Sequence, residues 1–282
     1  MFLPGMKKGI LLLGMFLLLV SCSEYQKVLK DGDPGVKYTM AEQLYNEAEA
    51  ENSKPKYRKA LRLFEQIVPQ YRGKPQGEKL TFLFADTYYK LNDHYLAGYQ
   101  FERFTQSYPN SERIEEAAFK SAKSYYHLSP RYDLDQTETV KAIEELQKYI
   151  ITYPEGSNIK EANDLATELR IKLEQKAYQI AWEYYKKGNS GIPGENYKAA
   201  IVAFTNFLNE NPGSPFREAA YYHRFAAAYQ LAINSYQYLM QERLNEAKGY
   251  YDNYTRFYPE GSEYYDEIQA SYRDLDSRLQ NF

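Results

Sequence analysis

The stretch AGYQFERFTQSYPNS, residues 97–111, contains the pattern that decides the fold. Phe101 follows Ala97 after four residues and Phe104 follows after three more. These offsets place three apolar side chains on one face of a helix. Pro109 comes five residues later and ends the helix, because proline lacks the amide donor and clashes with the preceding turn. The stretch therefore predicts a helix with one buried face and a defined end.

The same pattern occurs five times along the chain. The other copies are Ala60-Phe64-Ile67-Arg72, Ala142-Leu146-Tyr149-Pro154, Ala200-Phe204-Phe207-Pro212 and Ala247-Tyr251-Tyr254-Pro259. In the first copy Arg72 replaces the proline, so we expect a weaker helix end there. A serine follows each of the four prolines, and serine is a favourable N-cap for the next helix. These predicted N-caps are Ser111, Ser157, Ser214 and Ser262.

Each copy is preceded by a second predicted helix, which carries a small residue where two helices approach closely. These residues are Ala48, Ala85, Ala122, Ala181 and Ala226. Such a helix pair cannot bury its apolar side alone, so successive pairs must stack on one another. The sequence therefore predicts an all-α, tetratricopeptide-like helical-repeat solenoid of five helix-turn-helix repeats.

The junction between the third and fourth copies is longer than the others. Pro154 is 27 residues before Ala181, whereas Pro109 is 13 residues before Ala122. Residues 158–187 contain neither Pro nor Gly and therefore predict one long helix. We expect this helix to divide the array into repeats 1–3 (38–157) and a C-terminal half with the long helix and repeats 4–5 (158–282).

The first residues resemble a secretory leader. Lys7 and Lys8 precede an apolar run at 9–20, which is shorter than the ~20 residues needed to span a bilayer. The run ends in Leu19-Val20-Ser21-Cys22, which resembles the bacterial lipobox, in which the cysteine is acylated and becomes the first residue. The alternatives are an ordinary cleaved signal and an uncleaved anchor.

Cys22 is the only cysteine of the chain, and it stands where a lipobox needs it. We therefore predict a signal peptide at 1–21, lipidation of Cys22 with palmitate-type chains, and a lipidated linker at 22–37. Several acyl chains on one residue anchor a protein stably to a membrane. Ser23 is not the aspartate that retains many lipoproteins in the inner membrane, and this resemblance favours the outer membrane.

Composition and residue placement argue against several classes of function. The net charge is −3 and no basic tract with interleaved aromatic residues is present, which excludes nucleic acid as an expected partner. His94, His127 and His223 belong to different predicted repeats, so we expect them to lie far apart and to bind no metal. No catalytic constellation and no cofactor motif is found, and we expect a binding scaffold and not an enzyme.

The order of these features resembles the BamD family, the lipoproteins of the outer-membrane β-barrel assembly (BAM) machinery. The stretches that carry the resemblance are 108–111, 169–173, 181–187, 197–201 and 218–222. The resemblance implies a periplasm-facing scaffold whose C-terminal repeats bind a BamA-like barrel-assembly protein. It also implies that the N-terminal repeats bind unfolded barrel substrates, so that nascent barrels are inserted into the outer membrane.

The candidate binding residues are aromatic side chains of the first helices, which line the concave side of stacked repeats. The predicted peptide-binding residues are Tyr45, Phe82, Tyr89, Phe119 and Tyr126. The predicted partner-binding residues are Tyr178, Trp182, Tyr185 and His223. The alternative is that these rings pack between repeats, as we expect for Tyr88, Tyr125, Tyr184 and Tyr229. We expect three lysines to be solvated at the surface or, alternatively, to bind a peptide carboxylate; they are Lys79, Lys90 and Lys123.

Two other functions remain open. A helical-repeat lipoprotein can also coordinate cell-wall or division proteins of the envelope. Carbohydrate-binding lipoproteins of the SusD type share helical repeats, but they are usually much longer and have large inserted loops that this chain lacks.

Overall fold

The computed structural model describes residues 24–282, and every regular element within that range is helical. The predicted signal peptide (1–21) and Cys22 lie outside the described residues. The helices are α1 (24–31), α2 (Pro34–Glu51), α3 (Lys54–Ile67), a 3-10 helix (Val68–Tyr71), α4 (Gly77–Lys90), α5 (His94–Ser107), α6 (Ile114–Leu128), α7 (Thr137–Thr152), α8 (Ile159–Lys187), α9 (Glu195–Glu210), α10 (Arg217–Ile233), α11 (Gln237–Phe257) and α12 (Tyr265–Leu279). The prediction of one long helix is confirmed by α8, which has 29 residues.

The repeat pattern correctly predicted which side chains are buried. The alanines that mark the five second helices are fully buried. They are Ala60, Ala97, Ala142, Ala200 and Ala247. The first-helix alanines Ala48, Ala85, Ala122, Ala181 and Ala226 are buried as well. The all-α, tetratricopeptide-like repeat fold predicted from the sequence is thus confirmed.

Proline ends four of the second helices at the same place. In each case it stands two residues beyond the last helical residue, as Pro109 does after Ser107 at the end of α5. The first repeat, with Arg72 in place of proline, differs. There α3 passes into the 3-10 helix, which contains Pro69, and Arg72 is already extended with φ −58° and ψ 128°.

The serines after the prolines do not cap the helices directly, and the prediction of N-caps is wrong for Ser111, Ser214 and Ser262. The N-caps are Arg113, Phe216 and Tyr264. Each serine instead opens a turn, in which its backbone carbonyl accepts a hydrogen bond from the amide three residues later. The extra turn arises because the chain must change direction before the next helix can begin.

A carboxylate at the start of some first helices connects one repeat to the next. Glu115 Oε1 accepts hydrogen bonds from Tyr149 Oη at 3.1 Å and from the Ser157 amide at 2.7 Å. Glu218 Oε1 accepts from Tyr254 Oη at 2.8 Å and from the Tyr264 amide at 3.2 Å. The Ser157 hydroxyl also donates to Glu115 Oε1, at 2.9 Å, and this side-chain bond is the main reason why the pKa of Glu115 is lowered.

These glutamates also correct the alignment of the repeats. Ala122 lies seven residues after Glu115, and the residue seven positions after Glu218 is Phe225. Ala226, which the sequence pattern assigned to the close-packing position, is therefore one position out of register. Phe225 is fully buried and occupies that place.

The chain forms two compact units. Of the described residues, unit 1 contains 24–129 together with Glu138–Ala166. Unit 2 contains Pro130–Thr137 and Thr167–Phe282, so α8 contributes its first residues to unit 1 and the rest to unit 2. Buried aromatic and aliphatic side chains such as Phe64 and Leu80 form the core of unit 1, and Phe204 and Phe225 belong to the core of unit 2. The assignment of three repeats to 38–157 and two to 158–282 stays a prediction.

Candidate binding surfaces

Unit 1 has a group of aromatic rings, which we call the histidine–tyrosine face and which consists of the half-buried Tyr89, His94 and Tyr126 and the exposed His127. The rings of His94 and His127 stack with centroids 4.4 Å apart. Tyr89 meets His94 edge-on at 5.9 Å, and Tyr126 meets His127 at 5.4 Å. The expectation that the histidines lie far apart is therefore wrong for this pair, because α5 and α6 bring the two rings together across a repeat boundary.

Partial removal from water lowers the pKa of both histidines. It lowers the pKa of His94, and the proximity of His127 lowers it further against a smaller opposing effect of Asp93. Burial also lowers the pKa of His127, with Lys123 acting in the same direction and Glu161 opposing them. The Nδ1 atom of His94 is buried without a hydrogen-bond partner. The stack is therefore most stable when both rings are neutral.

Three of the five predicted peptide-binding residues lie in the core, and the prediction of an exposed groove is corrected for them. Phe82 is fully buried and meets Phe101 edge-on at 5.5 Å. Phe119 is 6% exposed and packs on Tyr149 at 5.3 Å. Tyr45 is also buried. All three stand three residues before the small alanine, where the side chain packs against the second helix of the same pair, as Tyr45 does against Tyr57 at 5.7 Å. Tyr89 and Tyr126 stand four residues after that alanine and are partly exposed.

Ion pairs join successive first helices of unit 1. We call the following four pairs the ion-pair ladder. They are Glu42–Lys79, Glu49–Lys90 (2.7 Å), Asp86–Lys120 (2.5 Å) and Lys123–Glu161 (2.7 Å). The three lysines considered as solvated or as ligands for a peptide carboxylate thus each pair with a glutamate. The third pair is the most buried, with Asp86 1% exposed.

The predicted partner-binding residues of unit 2 form one aromatic cluster. Tyr178 is buried at 7% exposure, and its ring stacks on Phe216 at 5.5 Å, so its prediction as a contact residue is corrected to a core residue. Trp182, Tyr185 and His223 are half-buried. His223 Nδ1 lies 2.7 Å from the Ala219 carbonyl oxygen, and burial lowers the pKa of this histidine.

An exposed apolar surface of unit 2 was missed by the sequence analysis. Ile180 is 49% exposed, Tyr184 38% and Val202 59%, and we call these three side chains the Tyr184 surface. The prediction that Tyr184 lies in the core is wrong. The sequence signal was available in the spacing of Ile180 and Tyr184, which stand four residues apart on a different face of α8 from Tyr178 and Ala181.

The Tyr184 surface borders two depressions. One is a groove of about 380 Å³ between α8 and the 130–137 segment, both within unit 2 at this point. Its lining includes Tyr132, Lys176, Ile180 and Tyr184, and the Lys176 ammonium donates to the Leu134 carbonyl oxygen at 2.5 Å. The second, shallower depression runs from Tyr184 across α9 and includes Val202. An apolar centre with charged edges is the usual anatomy of a protein-binding surface.

Two other properties of residues 24–282 bear on function. Within this range no group of three or more His, Asp or Glu side chains is arranged to hold a metal ion. The same residues include no helix with both the length and the apolar character that crossing a bilayer requires.

The fold and these surfaces define the class of the protein, an all-α, tetratricopeptide-like helical-repeat protein. The sequence profile of the YfiO family, described as outer membrane lipoprotein, matches residues 38–192. The chain therefore belongs to the YfiO family of outer membrane lipoproteins.

Comparisons with curated protein sequences and with solved structures add little to the family assignment. No significant match to a curated protein sequence is found. Among solved structures, the chain is similar to the crystal structure of the de novo designed helical repeat protein DHR64. The two are 15% identical, and the similarity covers 91% of this chain and 98% of the designed one with a TM-score of 0.13. That score supports no argument, so the fold rests on the helices described above.

Proposed function

We propose that the protein is a periplasm-facing, lipid-anchored scaffold of the BAM machinery, and that it binds a BamA-like protein and nascent barrel proteins without catalysing a reaction. The observation that carries this proposal is the family match over residues 38–192. The resemblance of the repeat turns and of the lipobox to the BamD family supports it. In this proposal unit 2 holds the barrel-assembly protein and unit 1 receives unfolded barrels.

The Tyr184 surface is the part of unit 2 best suited to a stable partner. It exposes three large apolar side chains at the rim of two depressions, and partly exposed aromatic residues often dominate binding energy. The neighbouring cluster supports it, since the rings of Tyr185 on α8 and His223 on α10 meet at 5.5 Å and Trp182 packs against the same core.

The histidine–tyrosine face is the part of unit 1 best suited to an extended peptide with an aromatic end. Tyr89→Ala combined with Tyr126→Ala is expected to weaken binding of a barrel-derived C-terminal peptide with little change in stability. The control is Tyr95→Ala with Tyr99→Ala, which removes two exposed tyrosines of α5 that lie outside the histidine–tyrosine face. Loss of folding in the first variant, or equal loss of binding in the control, contradicts this role.

Depletion of the protein tests the proposed process. We expect many outer-membrane barrels to decrease together when their levels are measured by quantitative proteomics of the membrane. Normal barrel levels with failed septation or wall synthesis would instead support the alternative function, a coordinator of cell-wall or division proteins.

The anchor is tested separately. Signal peptide cleavage and acylation of Cys22 belong to the proposal, and Cys22→Ala is expected to release the protein from the membrane fraction. The control Ser23→Ala is expected to remain there. Unchanged fractionation of Cys22→Ala would count against the lipobox.

A further inference from the structure

One guanidinium of unit 2 is buried without a counter-ion. Arg224, on α10, is 8% exposed, and its Nε is buried with no hydrogen-bond partner. Its Nη1 lies 3.5 Å from Thr205 Oγ1, at the limit of a hydrogen bond. Burial lowers the pKa of Arg224. Buried charges in proteins are normally paired and fully hydrogen-bonded, so this side chain has unused capacity to donate.

The surroundings of Arg224 add positive charge. Arg217, seven residues earlier on the same helix, donates to the Leu208 carbonyl oxygen and to Tyr221 Oη, both at 3.1 Å. The charge of Arg217 acts to lower the pKa of Arg224 in addition to the larger effect of burial. The carboxylate of Glu246, on α11, accepts from Tyr250 Oη at 3.1 Å. The two arginines thus lie on one side of α10, and in the described chain neither forms an ion pair with a carboxylate.

The repeats of the same chain show that the fold does not require arginine here. The position six residues after the first-turn glutamate is Arg224 in α10, Ser121 in α6 and Phe84 in α4. Ser121 is satisfied by the Gly98 carbonyl oxygen, and Phe84 is buried in the core. A neutral residue therefore serves the packing, and a buried charge at this position has a cost in stability that packing does not explain.

We propose that Arg224, with Arg217 beside it, binds the carboxylate of an acidic side chain from a partner protein. The rings of Tyr221 and Tyr250 lie 5.1 and 4.6 Å from the Arg224 Cζ, and they restrict the approach to the edge of the guanidinium. A planar carboxylate fits this edge in a bidentate arrangement, whereas a tetrahedral phosphate needs more room. The half-buried Tyr250 must turn aside to admit it. None of these residues belongs to the two surfaces assigned above, so the site is additional to the proposed function.

Nuclear magnetic resonance on the full-length lipoprotein in detergent micelles tests this site directly. The probe is the peptide acetyl-Gly-Glu-Gly-amide, and the readout is the Nε–H resonance of Arg224, identified by its absence in Arg224→Lys. We expect the Glu peptide to shift this resonance and to slow its exchange with water. The matching Gln peptide and glycerol phosphate should leave it unchanged. No response to the Glu peptide overturns the proposal, and so does an equal or larger response to either control.

A variant separates binding from folding. Arg224→Met removes the charge and keeps an unbranched side chain, so we expect an unchanged or higher thermal midpoint together with about tenfold weaker binding of the Glu peptide. Arg273→Met, at an exposed position of α12, is the control and should change neither property. A midpoint several degrees lower for Arg224→Met would show that the guanidinium serves the fold, which contradicts the proposal.

Discussion

Units 1 and 2 are built from the same helical repeat, but they hold their helices together by different contacts. In unit 1 the ion-pair ladder joins successive first helices, from Glu42–Lys79 to Lys123–Glu161. In unit 2 the ion pairs Lys198–Glu195 and Arg278–Asp274 lie within single helices. Between the helices of unit 2, stacked rings take the place of the ladder, as in Tyr222–Tyr264 at 4.8 Å.

The difference has consequences for how each unit responds to its surroundings. Ion pairs weaken with salt and with protonation, whereas stacked aromatic rings depend mainly on the area that they bury. We therefore expect unit 1 to be the more sensitive to pH and ionic strength. We expect unit 2 to keep its binding surface in place over a wider range of conditions.

The largest effect is expected from breaking the most buried pair of the ladder. Asp86→Ala removes the partner of Lys120 and of the Tyr45 hydroxyl, and it leaves the largely buried ammonium of Lys120 with Glu116 alone. Loss of one partner of a buried pair costs about 3 to 5 kcal/mol, which urea unfolding measures. Asp252→Ala, at an exposed position in unit 2, is the control. A change below 1 kcal/mol in Asp86→Ala would mean that the ladder does not stabilise unit 1.

A smaller loss of stability is expected from a tyrosine–glutamate hydrogen bond that occurs once in each unit. Tyr254→Phe removes a hydrogen bond to Glu218, and Tyr149→Phe removes the equivalent bond to Glu115. Each change should lower the free energy of unfolding by about 1.5 kcal/mol, since the acceptor is a charged group. Similar values in chemical denaturation support one shared repeat geometry. An effect in only one of the two variants would contradict it.

The sequence predicted the fold well because the repeat encodes burial directly. Ala97, Phe101 and Phe104 stand on one helical face, and all three are fully buried. The uninterrupted run at 158–187 predicted α8 to within one residue. Such features depend on the period of a helix and on the positions of Pro and Gly, and both can be read locally.

The candidate surfaces were predicted less well, because the exposure of a side chain depends on which helix packs against it. Phe82 and Tyr89 stand on the same helix with similar side chains, yet only Tyr89 is partly exposed. Tyr184 was expected in the core and lies at the rim of two depressions. The contact between His94 and His127 joins residues 33 positions apart, so no local pattern indicates it.

Acid is expected to affect unit 1 through its histidine stack. The pKa values of His94 and His127 are lower in the folded chain than their ordinary value near 6.5. The unfolded chain therefore takes up protons first as the pH falls, and stability is lost from about pH 6.5 down to the folded pKa values. Hydrogen exchange of α5 and α6 at pH 7.5 and 5.5 measures this loss.

A double substitution of the two histidines supplies the control for the acid effect. His94→Gln with His127→Gln should reduce the pH dependence of exchange in unit 1. His223→Gln should alter only unit 2, where burial also lowers the pKa of that histidine. An unchanged pH dependence in the double variant would contradict the role of the stack.

The smallest effect is expected at the exposed end of the ladder. Lys79 is more than half exposed, so Lys79→Ala should lower the stability of unit 1 by less than about 1 kcal/mol. The loss should disappear in 1 M salt, because screening already weakens the pair with Glu42. Thermal unfolding at low and high salt checks this. A loss that persists in high salt would point to packing by the lysine stem instead.

The most direct test of the scaffold function is recovery of a partner on the Tyr184 surface. Full-length protein is purified from membranes in mild detergent in three forms: the original chain, Tyr184→Asp, and the control Ile151→Asp at an exposed position of unit 1. Mass spectrometry then identifies the proteins that are bound to each form. The account predicts that the original chain and the control recover a large barrel protein with repeated periplasmic domains, and that Tyr184→Asp loses it. Recovery of cell-wall or division proteins in its place, with no barrel protein bound to the original chain, would contradict the account.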